Sequence, residues 1–407
     1  MEEPLDTRGV IIVGGGVAGV TAAFELRKGG FRGRITLLDA GTFPHDRPPL
    51  TKDFLWGHAG DDEVALYPPA AFEEPAIDLS THSLVTSIDL RDLGVVCEDG
   101  SRFEGDFIVL ATGGLARIPA ESISLHENVH RIRTIDDARR LKRELTPGRR
   151  LLVIGGGLLG VELSYTARLV GVDVTIVEPQ LWPLTPIVGD RLAHWLHDHA
   201  QEAHIAQHQA HVVSLAKSDD NFRAELSDET VVECDVIVAA IGFEPAVHLA
   251  VQAGLDVGVG IEVDACQRTS DERVFAIGDC AERHETDRVL RGGHWEAAKI
   301  DGERVARSIL GESVSPDGAA WFWTDRGDLH LDVVGRMDDC DETVVRGEFG
   351  STAFSVIGMN SGRVAAAVCV NDPKTARQLR KIIDAEIECT PDELRDPATD
   401  LRRILKR

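Results

Sequence analysis

The chain has 407 residues, 43% of them hydrophobic, which gives room for two or three globular α/β domains. A formal charge of −25 argues against general nucleic-acid binding, because phosphates call for cations. No apolar run reaches the ~20 residues of a membrane span. The start, Met1-Glu-Glu-Pro-Leu-Asp6, lacks the basic and apolar regions of a signal peptide, so a cytoplasmic enzyme is expected.

The first element is the apolar, β-branched run Val10-Ile-Ile-Val13, the composition of a buried parallel strand. Gly14, Gly16 and Gly19 follow with G-x-G-x-x-G spacing. The first glycine permits a tight turn, the second a close approach to a pyrophosphate, and the third close helix–strand packing. A helix is predicted over 17–28, its N-terminus facing the phosphates. Arg34-Ile-Thr-Leu-Leu-Asp39 reads as the next strand, and Asp39 lies 20 residues past Gly19, where a carboxylate reaches ribose hydroxyls. Phe107-Ile-Val-Leu-Ala-Thr-Gly-Gly114 reads as a buried strand closing in a small-residue turn.

The same grammar then repeats. Leu151-Leu-Val-Ile154 is a strand, Gly155, Gly157 and Gly160 form the turn, and a helix is predicted over 158–170. Val172-Asp-Val-Thr-Ile-Val-Glu178 follows, with Glu178 18 residues past Gly160. A carboxylate there accepts from the free 2′-hydroxyl of NADH and repels the 2′-phosphate of NADPH. Val236-Ile-Val-Ala-Ala-Ile-Gly242 and Arg273-Val-Phe-Ala-Ile-Gly-Asp-Cys280 are further closing strands. Two fingerprints in full βαβ context imply two dinucleotides, naturally FAD and a nicotinamide cofactor, and electron transfer between them. From residue 319 the pattern changes to short strands (329–334, 342–349 and 362–370) and a helix over 373–388, a small α+β domain. The expected division is an FAD-binding domain over 1–115 and 245–318, an NAD-binding domain over 116–244 and a C-terminal domain over 319–407.

The closest of the seven cysteines, Cys266 and Cys280, are 14 residues apart, so no short-spaced redox disulfide is present and no close-spaced metal cluster forms. His194, His197, His199, His204, His208 and His211 crowd a stretch read as helical, with His204 and His208 at i, i+4. No Glu follows His204 as an H-E-x-x-H site would need, so a solvated face rather than a metal site is expected.

Beyond the glycines, the chain resembles the FAD-dependent, NADH-utilising ferredoxin reductases, the group that includes reductase components of aromatic-ring dioxygenases. The resemblance rests on Pro44-His-Asp-Arg-Pro-Pro-Leu-Thr-Lys-Asp-Phe-Leu55, Ala111-Thr-Gly-Gly114, Gly155-Gly-Gly-Leu-Leu-Gly-Val-Glu162, Val274-Phe-Ala-Ile-Gly-Asp-Cys-Ala-Glu282, His294-Trp-Glu-Ala-Ala298 and Trp321-Phe-Trp-Thr-Asp325. It implies two Rossmann-like, glutathione-reductase-like domains plus the α+β domain. It also implies non-covalent FAD held by Gly14, Gly16, Val17, Ala18, Gly19, Asp39 and Ala40. Arg47, Pro48 and Lys52 would line the flavin, with Lys52 near its reactive edge, where a cation stabilises negative charge on the reduced ring. Val85, Ala111, Thr112, Gly113, Arg133, Gly242, Gly278 and Asp279 match further cofactor positions, and Trp295 and Trp323 match aromatics against the ring. Gly155, Gly157, Leu158, Leu159, Gly160 and Glu178 would hold NADH. Glu162 would sit between nicotinamide and flavin and pair with Lys52, making Lys52 and Glu162 the catalytic pair.

Three departures stand out: Asp39 where the family usually has Glu, Gly293 where it usually has Glu, and a loop after Glu178 without the usual Arg. The implied partner is a [2Fe-2S] ferredoxin feeding a cytochrome P450 or a ring-hydroxylating oxygenase. Arg304, Arg307, Arg377, Arg380 and Lys381 are the candidate docking cations for that acidic partner. Reductases of rubredoxin or monodehydroascorbate, and a non-catalytic redox-sensing flavoprotein, are the alternatives. The sequence leaves monomer and homodimer open.

Overall fold

A computed structural model describes residues 9–119, 128–218, 221–284, 289–291 and 293–407; the acidic start falls outside them. Two five-stranded parallel sheets share one strand order. In the first, Val274–Ala276, Phe107–Leu110, Val10–Val13, Ile35–Leu38 and Ile77–Ser80 lie side by side. In the second, Val129–His130, Val236–Ala239, Arg150–Ile154, Asp173–Val177 and Ile205–His208 do so. In each, the fingerprint strand sits between the carboxylate strand and a closing strand. Val13 is in register with Leu38 and Leu110, and Ile154 with Val177 and Ala239. That register brings each glycine turn, its carboxylate and the following small-residue turn to one sheet edge, where open α/β sheets bind ligands.

These strands are apolar on both faces because both are covered, one by helices and the other mainly by a three-stranded antiparallel sheet (Val85–Asp89, Gly94–Cys97 and Arg102–Glu104 on the first, Val212–Ser218, Asn221–Leu226 and Val231–Cys234 on the second), and Val10–Val13 and Val236–Ala239 are buried throughout. The helices Val17–Lys28 and Leu158–Leu169 start at Gly16 and Gly157 with no side-chain cap, so their first amides stay available to an anion. Helix Val17–Lys28 packs closely on Trp295–Leu310, for a Cβ on Gly302 would lie 2.6 Å from the Ala18 carbonyl oxygen.

The C-terminal unit is an antiparallel sheet ordered Trp321–Arg326, Leu329–Val334, Arg363–Val370, Phe354–Asn360 and Glu342–Arg346. Helix Pro373–Asp384 packs on it, capped by the Asp372 carboxylate, which accepts from the Thr375 amide. No helix among the described residues is long and apolar enough to cross a membrane.

Two expectations need correction. The histidine-rich stretch is not one helix. Helix Asp190–Glu202 ends before His204, which takes φ +57°, and His208 closes the strand Ile205–His208. His204 and His208 therefore do not share a helical face. Arg304 is not a surface cation. It is buried, bonds Asp317 and donates to the Ala265 and Ser315 carbonyls at 3.0 Å, joining the ends of segments around helix Trp295–Leu310.

Candidate functional site

The two fingerprints open into one cavity of about 240 Å³. Gly16, Val17 and Ala18 line it from the first, and Leu158, Leu159 and Glu162 from the second. Gly14 takes φ +118° and Gly155 φ +108°, and a Cβ on either would collide with the carbonyl of Ala111 or Ala240. Gly16 and Gly157 have ordinary extended φ, and nothing lies within 4 Å of a Cβ on either. The first pair is thus glycine for the fold, and the second keeps empty the space before a helix N-terminus. A pyrophosphate fits there.

Each carboxylate is oriented by the loop it serves. Glu178 accepts from the Gly156 and Gln180 amides, both at 2.9 Å. Asp39 Oδ1 accepts from the Gly41 amide at 2.9 Å, and its Oδ2 lies over Gly15, beside exposed Ala40. The shorter Asp side chain is matched by contact with the glycine turn itself.

At the other end, Arg47, Pro48, Gly113, Gly278 and Asp279 share the wall. Arg133 pairs with Asp279, donates to the Gly114 carbonyl at 2.9 Å and stacks over Phe243, its Cζ 4.6 Å from the ring centroid. Arg47 approaches the same Asp279 at 3.6 Å. Two guanidiniums around one carboxylate leave net positive charge facing an anionic ligand. Trp295 and Trp323 meet edge to face with centroids 6.0 Å apart, and the Trp295 indole donates to Asp46 at 2.8 Å. Burial pushes the Asp46 carboxyl above its usual range, against that hydrogen bond. Gly293, also on the wall where the family usually has Glu, takes φ +144°, a backbone that side chains avoid.

Lys52 lies between these walls. Its ammonium is 3.3 Å from Glu162 Oε1 and 2.6 Å from Asp325 Oδ2, and it stands 5.6 Å from the Trp323 ring centroid. The pairing with Glu162 is the one the resemblance implied. Asp325 was visible only as part of a family phrase. It arrives from 273 residues away, so spacing could not reveal the contact. Thr51 donates to Glu162 Oε2 at 3.3 Å, and the Asp325 amide to Oε1 at 3.2 Å.

Three named residues point elsewhere. Val85 is buried in the core beside Cys97 and does not line the cavity. The Thr112 hydroxyl donates to the Ala246 carbonyl at 2.8 Å. Gly242 takes φ +88° in the closing turn of the second sheet, outside the cavity. All seven cysteines are free, and none lines the cavity. No metal-ligating cluster occurs among the described residues.

Residues 8–300 match the family described as pyridine nucleotide-disulphide oxidoreductase, and residues 321–405 match the reductase C-terminal family. The chain belongs to the pyridine nucleotide-disulphide oxidoreductases. The family's glutathione-reductase-like fold and its FAD- and NADH-dependent oxidoreductase chemistry come with that membership. Putidaredoxin reductase of Pseudomonas putida is 32% identical, with 97% of this chain and 96% of that protein covered. The ferredoxin–NAD(+) reductase subunit of the Pseudomonas putida benzene 1,2-dioxygenase system is also 32% identical, covering 98% and 97%. Among solved structures, a covalent putidaredoxin reductase–putidaredoxin complex matches with TM-score 0.92 and 32% identity over 98% of both chains. This pyridine nucleotide-disulphide oxidoreductase keeps the two nucleotide folds and lacks the short-spaced dithiol that the family name suggests.

Proposed function

We propose that the chain is the reductase component of an oxygenase system, oxidising NADH and passing its electrons singly to a [2Fe-2S] ferredoxin that feeds a cytochrome P450 or a ring-hydroxylating oxygenase. The observation that carries this reading is the shared cavity, since both nucleotide folds open into it and no cysteine stands between them. Bound FAD supplies the conversion between two-electron and one-electron chemistry.

The chain's own residues bind, orient and balance charge. The first turn, Asp39 and the Arg47–Arg133–Asp279 cluster would hold FAD, with Trp295 and Trp323 available to wall its ring. The second turn and Glu178 would hold NADH, with Leu158 and Leu159 on the cavity side. Lys52 would place positive charge beside the flavin, and Glu162, 3.3 Å from the ammonium, would hold it there. Purified, FAD-loaded protein should reduce cytochrome c from NADH only when a [2Fe-2S] ferredoxin is added. Ferredoxin-independent cytochrome c reduction would contradict the proposed acceptor.

Glu178 sets the choice of nicotinamide. Glu178→Gln keeps an acceptor for one loop amide and removes the charge that repels a 2′-phosphate. Its kcat/KM for NADPH should rise about tenfold, ~1.4 kcal/mol of discrimination, with NADH little changed. An unaltered NADH-to-NADPH ratio in steady-state kinetics would show that Glu178 does not face the ribose.

Of the candidate docking cations, Arg304 is buried, and Arg380 is half-buried and paired with Glu296 at 2.6 Å. That pair ties helix Pro373–Asp384 to the helix beginning at Trp295, beside the cavity. Arg307, Arg377 and Lys381 remain exposed. We assign ferredoxin docking to Arg377 and Lys381 on this face, with Arg307 as an accessory cation. Reversing both charges should raise the KM for ferredoxin, flatten its salt dependence and leave NADH reduction of ferricyanide unchanged. An unchanged salt dependence would remove the assignment.

A further inference from the structure

The hairpin formed by Trp321–Arg326 and Leu329–Val334 carries Trp321, Trp323 and Asp325 on one face of its first strand. His330 is the cross-strand partner of Asp325, and Asp332 the partner of Trp323, so all five share that face. Asp325 Oδ2 meets Lys52, and its Oδ1 meets His330 Nδ1 at 2.6 Å. His330 Nε2 lies 3.5 Å from Asp332 Oδ2. Asp332 is buried, its Oδ1 accepts from the Trp321 indole at 2.9 Å, and its Oδ2 makes no hydrogen bond among the described residues. A buried carboxylate in that condition calls for a cation, and the neighbouring imidazole supplies one.

We propose that His330 is a positioning residue for Lys52. Its imidazolium, held between Asp325 and Asp332, occupies one oxygen of Asp325 and keeps the Lys52 ammonium shared between Asp325 and Glu162. The inference rests on the role given above to Lys52. Three carboxylates (Glu162, Asp325 and Asp332) face the two cations of this row, and buried Arg326, the next residue along the strand, adds its charge to the Glu162 side only. Remove the imidazolium charge and both oxygens of Asp325 turn to the nearest remaining cation, Lys52. The ammonium is then drawn off Glu162 and away from the flavin edge. Cys369, across the ladder from Asp332, is buried with its thiol pushed up to about 12, so it adds no charge. Asn371 bonds only the backbone of His330, at 2.7 and 2.8 Å.

The Asp325 carboxylate, which accepts a hydrogen bond from the ring, and the Asp332 carboxylate 3.5 Å from it raise the His330 imidazolium to about 9. It is therefore charged at neutral pH and loses its proton as the pH rises through about 9. Histidine NMR of wild-type protein, with and without FAD, should show a titration near there, moved down in Asp325→Asn. In stopped-flow NADH reduction, His330→Gln should be about tenfold slow at pH 7, as a one-unit charge effect implies, with a shifted flavin midpoint potential. Wild type should slow in the same way above pH 9. His330→Lys, a permanent cation at the same place, should restore rate and potential and abolish the break near pH 9. Lys52→Met is the control. A normal rate, potential and pH profile in His330→Gln beside an impaired Lys52→Met overturns the inference alone, as does failure of His330→Lys to rescue. A normal Lys52→Met overturns the reading on which it rests.

Discussion

Gly157→Val is expected to give a folded, yellow protein that NADH reduces at least about 100-fold more slowly than wild type, the cost of misplacing a reactant by about an ångström. The backbone at Gly157 is extended, with φ −71° and ψ −170°, so valine adds no strain. Nothing lies within 4 Å of a Cβ at this position, so the branch point of the side chain meets no neighbour among the described residues. What it fills is the space before the N-terminus of helix Leu158–Leu169, where the NADH pyrophosphate would approach. Gly16→Val is the counterpart in the first fingerprint and should give a folded but colourless protein. Alanine at Gly14 or Gly155 should instead cost folding, because positive φ and a carbonyl in the way act together. Circular dichroism, bound-flavin absorbance and stopped-flow reduction separate the four variants. Wild-type reduction of Gly157→Val would show that the second fingerprint does not hold NADH.

Lys52→Met should be the most damaging change that leaves FAD bound. The thioether fills a similar volume and removes the ammonium that lies between Glu162 and Asp325. Loss of a donor aimed at developing negative charge costs about 10²–10³ in rate, read as the rate of flavin bleaching by NADH. Lys52→Arg, which keeps the charge, should lose less. Two carboxylates left facing each other also raise the protonation of one of them. The residual rate of Lys52→Met should therefore rise as the pH falls into the carboxylate range, a dependence separate from the wild-type slowing above pH 9. Bleaching at the wild-type rate would place the reacting atoms elsewhere.

The sequence showed more of the scaffold than of the site. Both fingerprint strands, the helix Val17–Lys28 and the positions of Asp39 and Glu178 were legible because local pattern dictates them. Glycine spacing fixes the turn, and apolar runs fix buried parallel strands. The strand Phe354–Asn360 was not singled out. Six of its seven residues are buried, so it shows no polar alternation to distinguish it. The basic row suggested docking at Arg304, but Asp317 claims that guanidinium, 13 residues on and past a turn. The same holds inside the cavity. Lys52 and Glu162 were named together through a family likeness, whereas Asp325, His330 and Asp332 join them through a hairpin register that residue spacing does not encode. Arg133 and Asp279 were each named without their ion pair for the same reason.

The most direct measurement is double-mixing stopped flow on the FAD-loaded protein, first with NADH and then with an oxidised [2Fe-2S] ferredoxin. Fast flavin bleaching, followed by reoxidation whose rate rises with ferredoxin concentration and which reduces two ferredoxins per NADH, is the expected result. Fast bleaching with reoxidation indifferent to ferredoxin would contradict the proposed acceptor, and no bleaching would contradict hydride transfer in the shared cavity altogether.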